Sequence, residues 1–270
     1  MQVIAVTGGK GGVGKTNIAV NLAVSMSMEG LDVMLFDADL GLANVDVVLG
    51  MQPKYTLADV VSGEKTLADV VVDGPEGLRV IPAASGVAKM VEMQSSDQER
   101  LIRQLSDQLM PPDVLIVDTG AGIDQTVQTF VAACQSAVLV VCDEPASLTD
   151  AYALMKVLRA KKDIRRFEIL ANQVDNPLQG KQLFERISNV CDLYLDVELG
   201  YLGGVPTDMY LRRAVQERRA LVSAYPRSPA ATAIRDAGRR LNRQAPRSES
   251  SGVGFFVEQL LSQQTHAVRH

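Results

Sequence analysis

The sequence is poor in the residues on which several common kinds of active site depend. It contains only two histidines, His266 and His270, and both stand near its C-terminal end. Its three cysteines, Cys134, Cys142 and Cys191, are far apart and form no CxxC pair. These shortages nearly exclude Ser–His–Asp catalysis and a histidine-based zinc site. We interpret the cysteines as buried, reduced thiols of a cytoplasmic protein.

Long apolar runs are also missing. The longest one, residues 137–142, is far too short to cross a bilayer, which takes about 20 residues. The N-terminal residues lack the basic segment and the long apolar segment of a signal peptide. We therefore expect a cytoplasmic protein that is at most peripheral at the inner membrane.

The charge balance is mildly acidic, with a net charge of −5. This balance argues against a general nucleic-acid coat and leaves room only for a local basic patch. Apolar residues make up 47% of the 270 residues, enough for a substantial core. A chain of this length forms one α/β domain or two small ones.

Short apolar runs alternate with amphipathic stretches along the chain. The predicted strands are residues 2–7, 32–37, 78–82, 114–118, 137–142, 167–172 and 195–202. The predicted helices are residues 15–28, 96–109, 147–160, 178–189 and 229–242. This alternation predicts a single α/β domain in which a mostly parallel, twisted sheet carries helices on both faces.

The end of the chain differs from the rest in composition. No Pro- or Gly-rich linker occurs before residue 244, so we predict one domain over residues 1–244 and a tail over residues 245–270. Residues 245–252 are polar and typical of a flexible linker. Residues 253–264 have apolar side chains at helical spacing, which predicts an amphipathic C-terminal helix. These apolar positions are Val253, Phe256, Val257, Leu260 and Leu261.

A glycine-rich segment lies between the first predicted strand and the first predicted helix. Gly9 and Gly14 are separated by four residues and followed by Lys15 and Thr16, which is the P-loop pattern. Glycines let successive backbone N–H groups turn toward one anion, and the helix adds the positive end of its dipole. Lys15 is predicted to reach the β- and γ-phosphates of ATP, and the Thr16 hydroxyl to ligate Mg²⁺. The predicted nucleotide-binding residues of this segment are Gly9, Lys10, Gly11, Gly12, Val13, Gly14, Lys15, Thr16 and Asn17.

Acidic residues end two other predicted strands. Asp118 ends an apolar run at residues 114–117, in the manner of a Walker B acid that holds Mg²⁺. Asp37 and Asp39 end the second strand, and two carboxylates at this spacing point to the same side of an extended chain. At the carboxyl edge of a parallel sheet they would face the nucleotide. We assign Asp37 to the Mg²⁺ shell and Asp39 to the attacking water, with solvated turn acids as the alternative.

Together these motifs resemble those of the MinD/ParA family of P-loop ATPases, over residues 1–242. The diagnostic residue is Lys10, an extra lysine early in the loop that an ordinary P-loop does not require. The resemblance implies that Lys10 reaches the phosphates bound by a second subunit, so that ATP joins two copies into a homodimer. It also implies that residues 37–39 and 118–122 are the switch I and switch II segments.

The base-binding residues rest on the same resemblance. Asn172, Gln173 and Asp175 form a pattern similar to the guanine-reading Asn-Lys-x-Asp motif, but the lysine is absent. The family resemblance implies instead that Asn172 binds adenine through its amide, with a loop containing Pro206 and Asp208 against the ring. We therefore expect ATP rather than GTP.

Within the family, residues 37–46 and the tail resemble the flagellar-number regulators. This resemblance implies two partners: a flagellar transcription activator that the protein restrains, and a signal-recognition-type GTPase that places the flagellum. The tail is also similar to a membrane-targeting helix, yet residues 253–264 contain no Lys or Arg to attract anionic lipid. Docking of the tail on its own domain or on a partner is an equal alternative to a membrane surface.

The implied activity is a slow hydrolysis of ATP that works as a switch. Lys15, Mg²⁺ and Lys10 of a second copy would stabilise the charge of the transferring phosphoryl group, while Asp39 holds the water in line. No arginine finger is evident in the chain itself, which suits slow turnover. Loss of the γ-phosphate would let the two copies separate.

Other functions of the same family remain as alternatives. A MinD-like cell-division site regulator would share these motifs. A ParA-like partitioning ATPase would bind non-specific DNA through arginines, although direct nucleic-acid binding is less favoured than a solvated helix face paired with Glu217 and Asp236. A metal-cluster ATPase would need cysteines beside switch II, and these are missing. The arginines concerned are Arg212, Arg213, Arg218, Arg219, Arg235, Arg239, Arg240 and Arg243.

Overall fold

The computed structural model describes residues 1–39, 44–56, 59, 62–82 and 111–243. The predicted helix over residues 96–109, the linker over residues 245–252 and the amphipathic helix over residues 253–264 lie outside the described residues. The domain boundary at residue 244 therefore stays a prediction.

Eight strands of the described residues form one sheet. They are β1 (Gln2–Gly8), β2 (Val33–Ala38), β3 (Val72–Asp73), β4 (Arg79–Ile81), β5 (Val114–Ala121), β6 (Ser136–Val141), β7 (Arg166–Val174) and β8 (Glu198–Pro206). Their order across the sheet is β3-β4-β2-β5-β1-β6-β7-β8. Only the pair of β3 and β4 is antiparallel within this described sheet. The prediction of a mostly parallel sheet is confirmed.

Helices cover both faces of this sheet. Those in the described residues are α1 (Lys15–Met28), α2 (Val45–Leu49), α3 (Leu67–Val70), α4 (Gln125–Ala133), α5 (Pro145–Lys162), α6 (Pro177–Tyr194), α7 (Met209–Gln216), α8 (Leu221–Ala224) and α9 (Pro229–Arg243), with a 3₁₀ turn at Pro75–Gly77. One face packs against α1, α2 and α7 to α9, and the other against α4 to α6. Every residue of β1 and β2 is buried, because both faces are covered.

Helix α4 is missing from the sequence prediction, which places no helix between residues 118 and 137. Its sequence is rich in Thr and Val, which favour helices weakly. The Asp124 side chain caps its start by accepting a hydrogen bond from Val127 N at 2.9 Å, and Phe130 and Val131 are buried in the core. Capping and burial therefore outweigh the propensity of the segment.

The bounds of the predicted strands agree with the structure to within two residues, except at β5 and β8. β5 continues past Asp118 to Ala121, so Asp118 lies within the strand rather than at its end. β8 begins at Glu198 rather than at residue 195, because α6 extends as far as Tyr194.

None of the helices in the described residues has the length and apolarity needed to cross a bilayer.

The sheet brings the predicted site residues to one edge. β1 lies between β5 and β6, and the chain passes from β1 to β2 on one side before it continues to β6 on the other. In such sheets ligands bind beyond the carboxyl ends of the strands, at the point where the order reverses. A ligand-binding site is therefore expected among the segments that follow β1, β2, β5 and β7.

Candidate functional site

Left-handed backbone at two glycines shapes the loop between β1 and α1. Gly12 and Gly14 have φ angles of 81° and 89°, a region that residues with a Cβ avoid. Gly14 also lies against the side chain of Asn172, because a Cβ at residue 14 would stand 2.5 Å from Asn172 Nδ2. The loop keeps this shape only with glycine at residue 14.

The loop is packed on one side and open on the other. A Cβ at Gly9 would collide with the backbone of Asp150 in α5. A Cβ at Gly11 or Gly12 would meet no atom of the described residues within 4 Å. Backbone N–H groups on the open side of such a loop can surround phosphate oxygens. The loop therefore fits the predicted triphosphate.

Lys15 is a buried cation at the start of α1. The residue is 8% exposed, and its Nζ donates one long hydrogen bond, of 3.5 Å, to the Lys10 carbonyl oxygen. Burial lowers the pKa of Lys15, while the charges of Asp118 and Asp39 oppose this shift. A buried ammonium group with so few partners in the described chain is suited to bind phosphate oxygens.

Thr16 and Asn17 follow in the first turn of α1, and both are half-buried. The Asn17 Oδ1 atom is buried and has no hydrogen-bond partner among the described residues. Val13 is almost fully buried below the loop. The predicted loop residues are thus together, and the contacts that each would make with a nucleotide stay predictions.

Asp118 faces Asp37 across neighbouring strands, since the two are register partners in β5 and β2. Asp118 is 1% exposed, and neither carboxylate oxygen has a hydrogen-bond partner of normal geometry in the described part of the chain. Burial raises the pKa of Asp118 to about 7. The nearby Thr16 hydroxyl and Lys15 oppose this rise, whereas Asp37 and Asp39 add to it.

These surroundings fit a magnesium ion. A buried carboxylate without hydrogen bonds is costly unless it meets a cation, and Mg²⁺ prefers oxygen ligands such as those of Asp118 and Thr16. The described residues contain no cluster of three or more His, Cys, Asp or Glu side chains that could hold a metal ion. The phosphates of a nucleotide and water would therefore have to supply most of the metal's ligands.

Asp37 has the opposite surroundings. Its Oδ1 accepts a hydrogen bond from Asp39 N at 3.1 Å, and its Oδ2 accepts from Asn44 N at 3.1 Å and Val45 N at 3.2 Å. Burial raises its pKa to about 6, while these N–H groups act to lower it. The carboxylate thus anchors the start of α2. It is better placed to reach a metal through water than directly, and its metal role stays a prediction.

Asp39 lies directly after β2, at the edge of the loop site. A Cβ at Gly120 in β5 would stand 3.5 Å from Asp39 Oδ1, so the side chain lies over the predicted switch II segment. The Asp39 charge also acts on Lys15 and Asp118. The structure brings Asp39 to the site, and its predicted role toward the attacking water stays a prediction.

Lys10 is held at the rim of the loop by an acidic side chain, Glu144, that no sequence pattern indicates. Its ammonium group forms an ion pair with Glu144, the N-cap residue of α5, and the two side chains are 35% and 56% exposed. Hydrogen bonding to Glu144 raises the pKa of Lys10, with a smaller contribution from Asp150. Lys10 and Glu144 are 134 positions apart in the sequence. The only local feature that could have pointed to Glu144 is its position directly before Pro145, which opens α5.

Asn172 holds the loop in shape. It is 2% exposed, and its Nδ2 donates a hydrogen bond to the Val13 carbonyl oxygen at 2.8 Å. The Cys142 thiol lies 3.7 Å from the same oxygen. A contact between Asn172 and adenine would therefore connect the base to the phosphate loop, and this adenine contact stays a prediction.

Pro206 and Asp208 lie where β8 ends. Pro206 is the last residue of the strand and pairs in register with Val174. The Asp208 carboxylate accepts hydrogen bonds from Tyr210 N at 2.8 Å and from Ala230 N at 3.1 Å, in the first turns of α7 and α9. Both oxygens thus serve to start helices. No pattern in the sequence indicates this role, and the contact of the two residues with adenine stays a prediction.

The cysteines supply no reactive thiolate, although Cys142 borders the phosphate loop. All three are free. Burial raises the pKa of Cys142 and of Cys191 to about 11, so these thiols carry a proton at neutral pH. Protonated, buried thiols are poor metal ligands and poor nucleophiles.

Comparison with known proteins identifies the family. A family model described as ParA, "NUBPL iron-transfer P-loop NTPase", matches residues 1–242. The chain belongs to the ParA/MinD family of P-loop ATPases, which confirms the resemblance carried by Lys10 and its loop. Among its relatives is the Antiactivator FleN of Pseudomonas aeruginosa, which is 50% identical over 262 residues covering 97% of this chain and 94% of that protein.

The chain is also similar to a flagellar protein and to a solved structure. The Flagellum site-determining protein YlxH of Helicobacter pylori is 38% identical over 228 residues, which cover 82% of this chain and 74% of that protein. The septum site-determining protein MinD complexed with Mg-ADP, from Pyrococcus horikoshii OT3, matches with a TM-score of 0.71 and 24% identity, over 90% of this chain and 96% of that one. The predicted likeness to flagellar-number regulators and the MinD-like fold are confirmed.

Proposed function

We propose that the chain is an ATP-dependent switch: two copies join when each holds Mg·ATP, hydrolyse the ATP slowly, and then separate. The observation that carries this proposal is the position of Lys10. It belongs to the phosphate loop, yet its ammonium group lies in a partly exposed ion pair with Glu144, whereas Lys15 is buried. This partly exposed cation supports the proposal, because it would act on a second molecule once its ion pair opens.

The chain's own residues suit the handling of Mg·ATP, which supplies the phosphoryl group that reacts. The loop backbone and Lys15 would hold the phosphates, and Thr16 and Asp118 would hold the metal ion, with Asp37 behind a water molecule. Because the pKa of Asp118 is raised to about 7, the nucleotide-free site is partly protonated at neutral pH. Loading of the site would therefore release protons.

Hydrolysis would depend on positioning and on charge. Asp39 would orient the attacking water, and Lys15 together with Lys10 of the second copy would stabilise the charge that develops on the phosphoryl oxygens. The switch would act through Asp37 and Asp39, because one anchors the start of α2 and the other lies over Gly120. Both segments would respond to removal of the γ-phosphate.

Base selection would fall to Asn172, Pro206 and Asp208. Adenine bound near the Asn172 amide would act on the loop through the bond to the Val13 carbonyl. Pro206 and the backbone around Asp208 would lie against the ring. ATP rather than GTP is the expected nucleotide, since the lysine of the guanine-reading motif is replaced by Gln173.

The partners are proposed from the resemblance to flagellar-number regulators and from the names of two relatives, an antiactivator and a flagellum site-determining protein. The ATP-bound dimer would restrain a flagellar transcription activator and would act with a signal-recognition-type GTPase, so that flagellar number and placement are regulated. The protein would be cytoplasmic, with peripheral attachment to the inner membrane through residues 253–264, which lie outside the described residues.

Size-exclusion chromatography with light scattering tests the switch. The wild type, Lys10→Ala and the control Lys156→Ala are compared with and without a non-hydrolysable ATP analogue and Mg²⁺. Lys156 is an exposed lysine of α5, distant in the chain from the loop. We expect the analogue to convert wild type and control from monomer to dimer, and Lys10→Ala to remain a monomer that still binds the analogue. An unchanged wild-type mass would exclude the proposed mechanism.

A further inference from the structure

Helix α7 and the turn after it present unpaired arginines to solvent. We call the surface formed by Arg212, Arg218 and Arg219 the α7 arginine surface; all three are exposed. None of them has an ion pair within the described residues, whereas their neighbour Arg213 pairs with Glu217 at 3.2 Å. Glu217 offsets only part of this charge, because it pairs with Arg213 and interacts with Arg219. The positive charge that remains, on a chain with a net charge of −5, points to a role beyond solubility.

Arg218 occupies a backbone position that favours glycine. Its φ angle is 53°, and the neighbouring bonds from Arg218 N to Val215 O (3.1 Å) and from Arg219 N to Ala214 O (3.0 Å) are those that close a helix. Glycine predominates at this position because a Cβ is unfavourable in left-handed backbone. Strained residues of this kind concentrate at functional positions. The arginine at this position is therefore a second sign that the surface has a role.

Exposed apolar side chains accompany the arginines. Met209 is 77% exposed, Tyr210 is 40% exposed and Val215 is 37% exposed, all on α7. Arginine, methionine and tyrosine are enriched in the central parts of protein–protein interfaces. A phosphate-binding surface would instead need a broader positive field, which the acidic chain as a whole opposes.

The surface is also in contact with the switch side of the nucleotide site. Helix α2 has five residues. Its N-cap residue Asn44 and its first residue Val45 donate backbone hydrogen bonds to Asp37, and its C-cap Gly50 lies against Arg218. A Cβ at Gly50 would stand 3.0 Å from Arg218 Cβ. A short helix thus connects the carboxylate beneath the loop with the arginine that is under strain.

We propose that the α7 arginine surface, with Met209 and Tyr210, docks an acidic, amphipathic segment of a protein partner, and that the nucleotide changes its affinity through α2. Charge complementarity identifies the occupant as acidic, and the exposed apolar side chains identify it as a protein. The docking surface deepens the proposed function by naming where a partner would be held. Only the nucleotide dependence of this docking rests on the proposed ATP-dependent switch.

Binding of two labelled peptides tests the surface. Both have about 20 residues, long enough to form a helix; one consists of Glu and Leu at amphipathic spacing, the other of Glu and Ser. Fluorescence anisotropy is measured with full-length wild type, with Arg212→Glu/Arg219→Glu, and with the charge-matched control Lys156→Glu/Lys181→Glu. The control residues are exposed on α5 and α6, across the sheet. We expect the surface variant to lose more than about tenfold in affinity for the Glu/Leu peptide and the control to lose much less.

Two single variants separate recognition from folding. Arg218→Gly removes a charge and relieves the backbone, so it should bind the peptide several-fold more weakly while its Tm stays equal or rises. Met209→Ser should weaken binding of the Glu/Leu peptide and leave the Glu/Ser peptide unaffected. Equal losses in surface and control variants would overturn the proposal, because they would show a general effect of charge.

Other ligands define the remaining outcomes. If a DNA duplex of about 20 base pairs or phosphatidylglycerol vesicles bind in an Arg212/Arg219-dependent manner and the peptides do not, a protein-docking surface is excluded. Light scattering with the ATP analogue is recorded on the same samples. Dimerisation without peptide binding in any nucleotide state refutes the docking surface alone. Peptide binding without dimerisation refutes the proposed switch alone.

Discussion

Asp118 and Asp37 stand opposite each other on neighbouring strands, yet their carboxylates have different surroundings. Asp37 accepts backbone hydrogen bonds from Asp39, Asn44 and Val45, so it holds a part of the fold together. Asp118 is as deeply buried and lacks such bonds within the described chain. Burial alone therefore does not reveal the role of an acid. Its hydrogen bonds separate an acid that holds the backbone of the site in place from one that we propose binds a cation.

The largest expected effect comes from Asp118→Asn. We expect Mg²⁺-dependent ATP hydrolysis to fall by about a hundredfold or more, because the metal loses a charged ligand. The nucleotide-free protein should nevertheless melt at a higher temperature at pH 7.5, since a buried and unpaired charge is removed. Phosphate release and calorimetry check the two effects, with the exposed Asp73→Asn as control. A lower Tm would show that Asp118 is a structural acid like Asp37.

Next in size is a dependence of stability on pH that Asp118 causes. Its pKa is raised from 3.8 to about 7 on folding, so the folded protein binds more protons between these values. The contribution of Asp118 to the free energy of unfolding is therefore full below about pH 4. It falls by about 4 kcal/mol as the pH rises toward 7. The difference in free energy of unfolding between wild type and Asp118→Asn, measured by urea titration from pH 5 to pH 8, should show about 2–3 kcal/mol of this loss. A difference that does not vary with pH would contradict the raised pKa.

Asp37→Ala should act on stability in the opposite direction. It leaves backbone N–H groups at the start of α2 without an acceptor, at a cost of about 1–3 kcal/mol in free energy of unfolding. Urea unfolding at pH 7.5 measures the loss. Asp73→Ala, which removes an exposed carboxylate, serves as control and should change the free energy by less than about 0.5 kcal/mol. Equal stability of the two variants would remove the contrast between Asp37 and Asp118.

The smallest expected effect is that of a substitution at the rim of the phosphate loop, because the ion pair of Lys10 with Glu144 is partly exposed. Glu144→Gln frees Lys10 from its ion pair, so the ATP analogue should promote dimerisation at about two- to fivefold lower protein concentration. Analytical ultracentrifugation across a concentration series measures this shift. Weaker dimerisation would instead mean that Glu144 helps the second copy to bind.

The sequence is informative where the chemistry is local. The order of Gly9, Gly14, Lys15 and Thr16 predicts a phosphate loop because neighbouring residues shape it, and Asp118 follows from one apolar strand. The alternation of short apolar runs with amphipathic stretches also predicts the parallel sheet. Strands that are covered on both faces are apolar throughout, whereas the helices that cover them are amphipathic.

Contacts between distant residues explain what the sequence does not reveal. The Asn172 amide reaches Val13 across 159 positions, and Glu144 reaches Lys10 across 134. No pattern in one sequence marks such a pair, since each residue has an ordinary local reason to be polar. Helix α4 is missed for a related reason, because burial against the sheet stabilises a segment whose own propensity is weak.

The short connection after β8 has a practical consequence for anyone who wishes to tag or lengthen this protein. Because the Asp208 carboxylate begins α7 and α9 together, an insertion between residues 206 and 209 would displace both helices at once. A fluorescent label belongs elsewhere, for example on the side chain of Tyr194, which is 73% exposed at the end of α6.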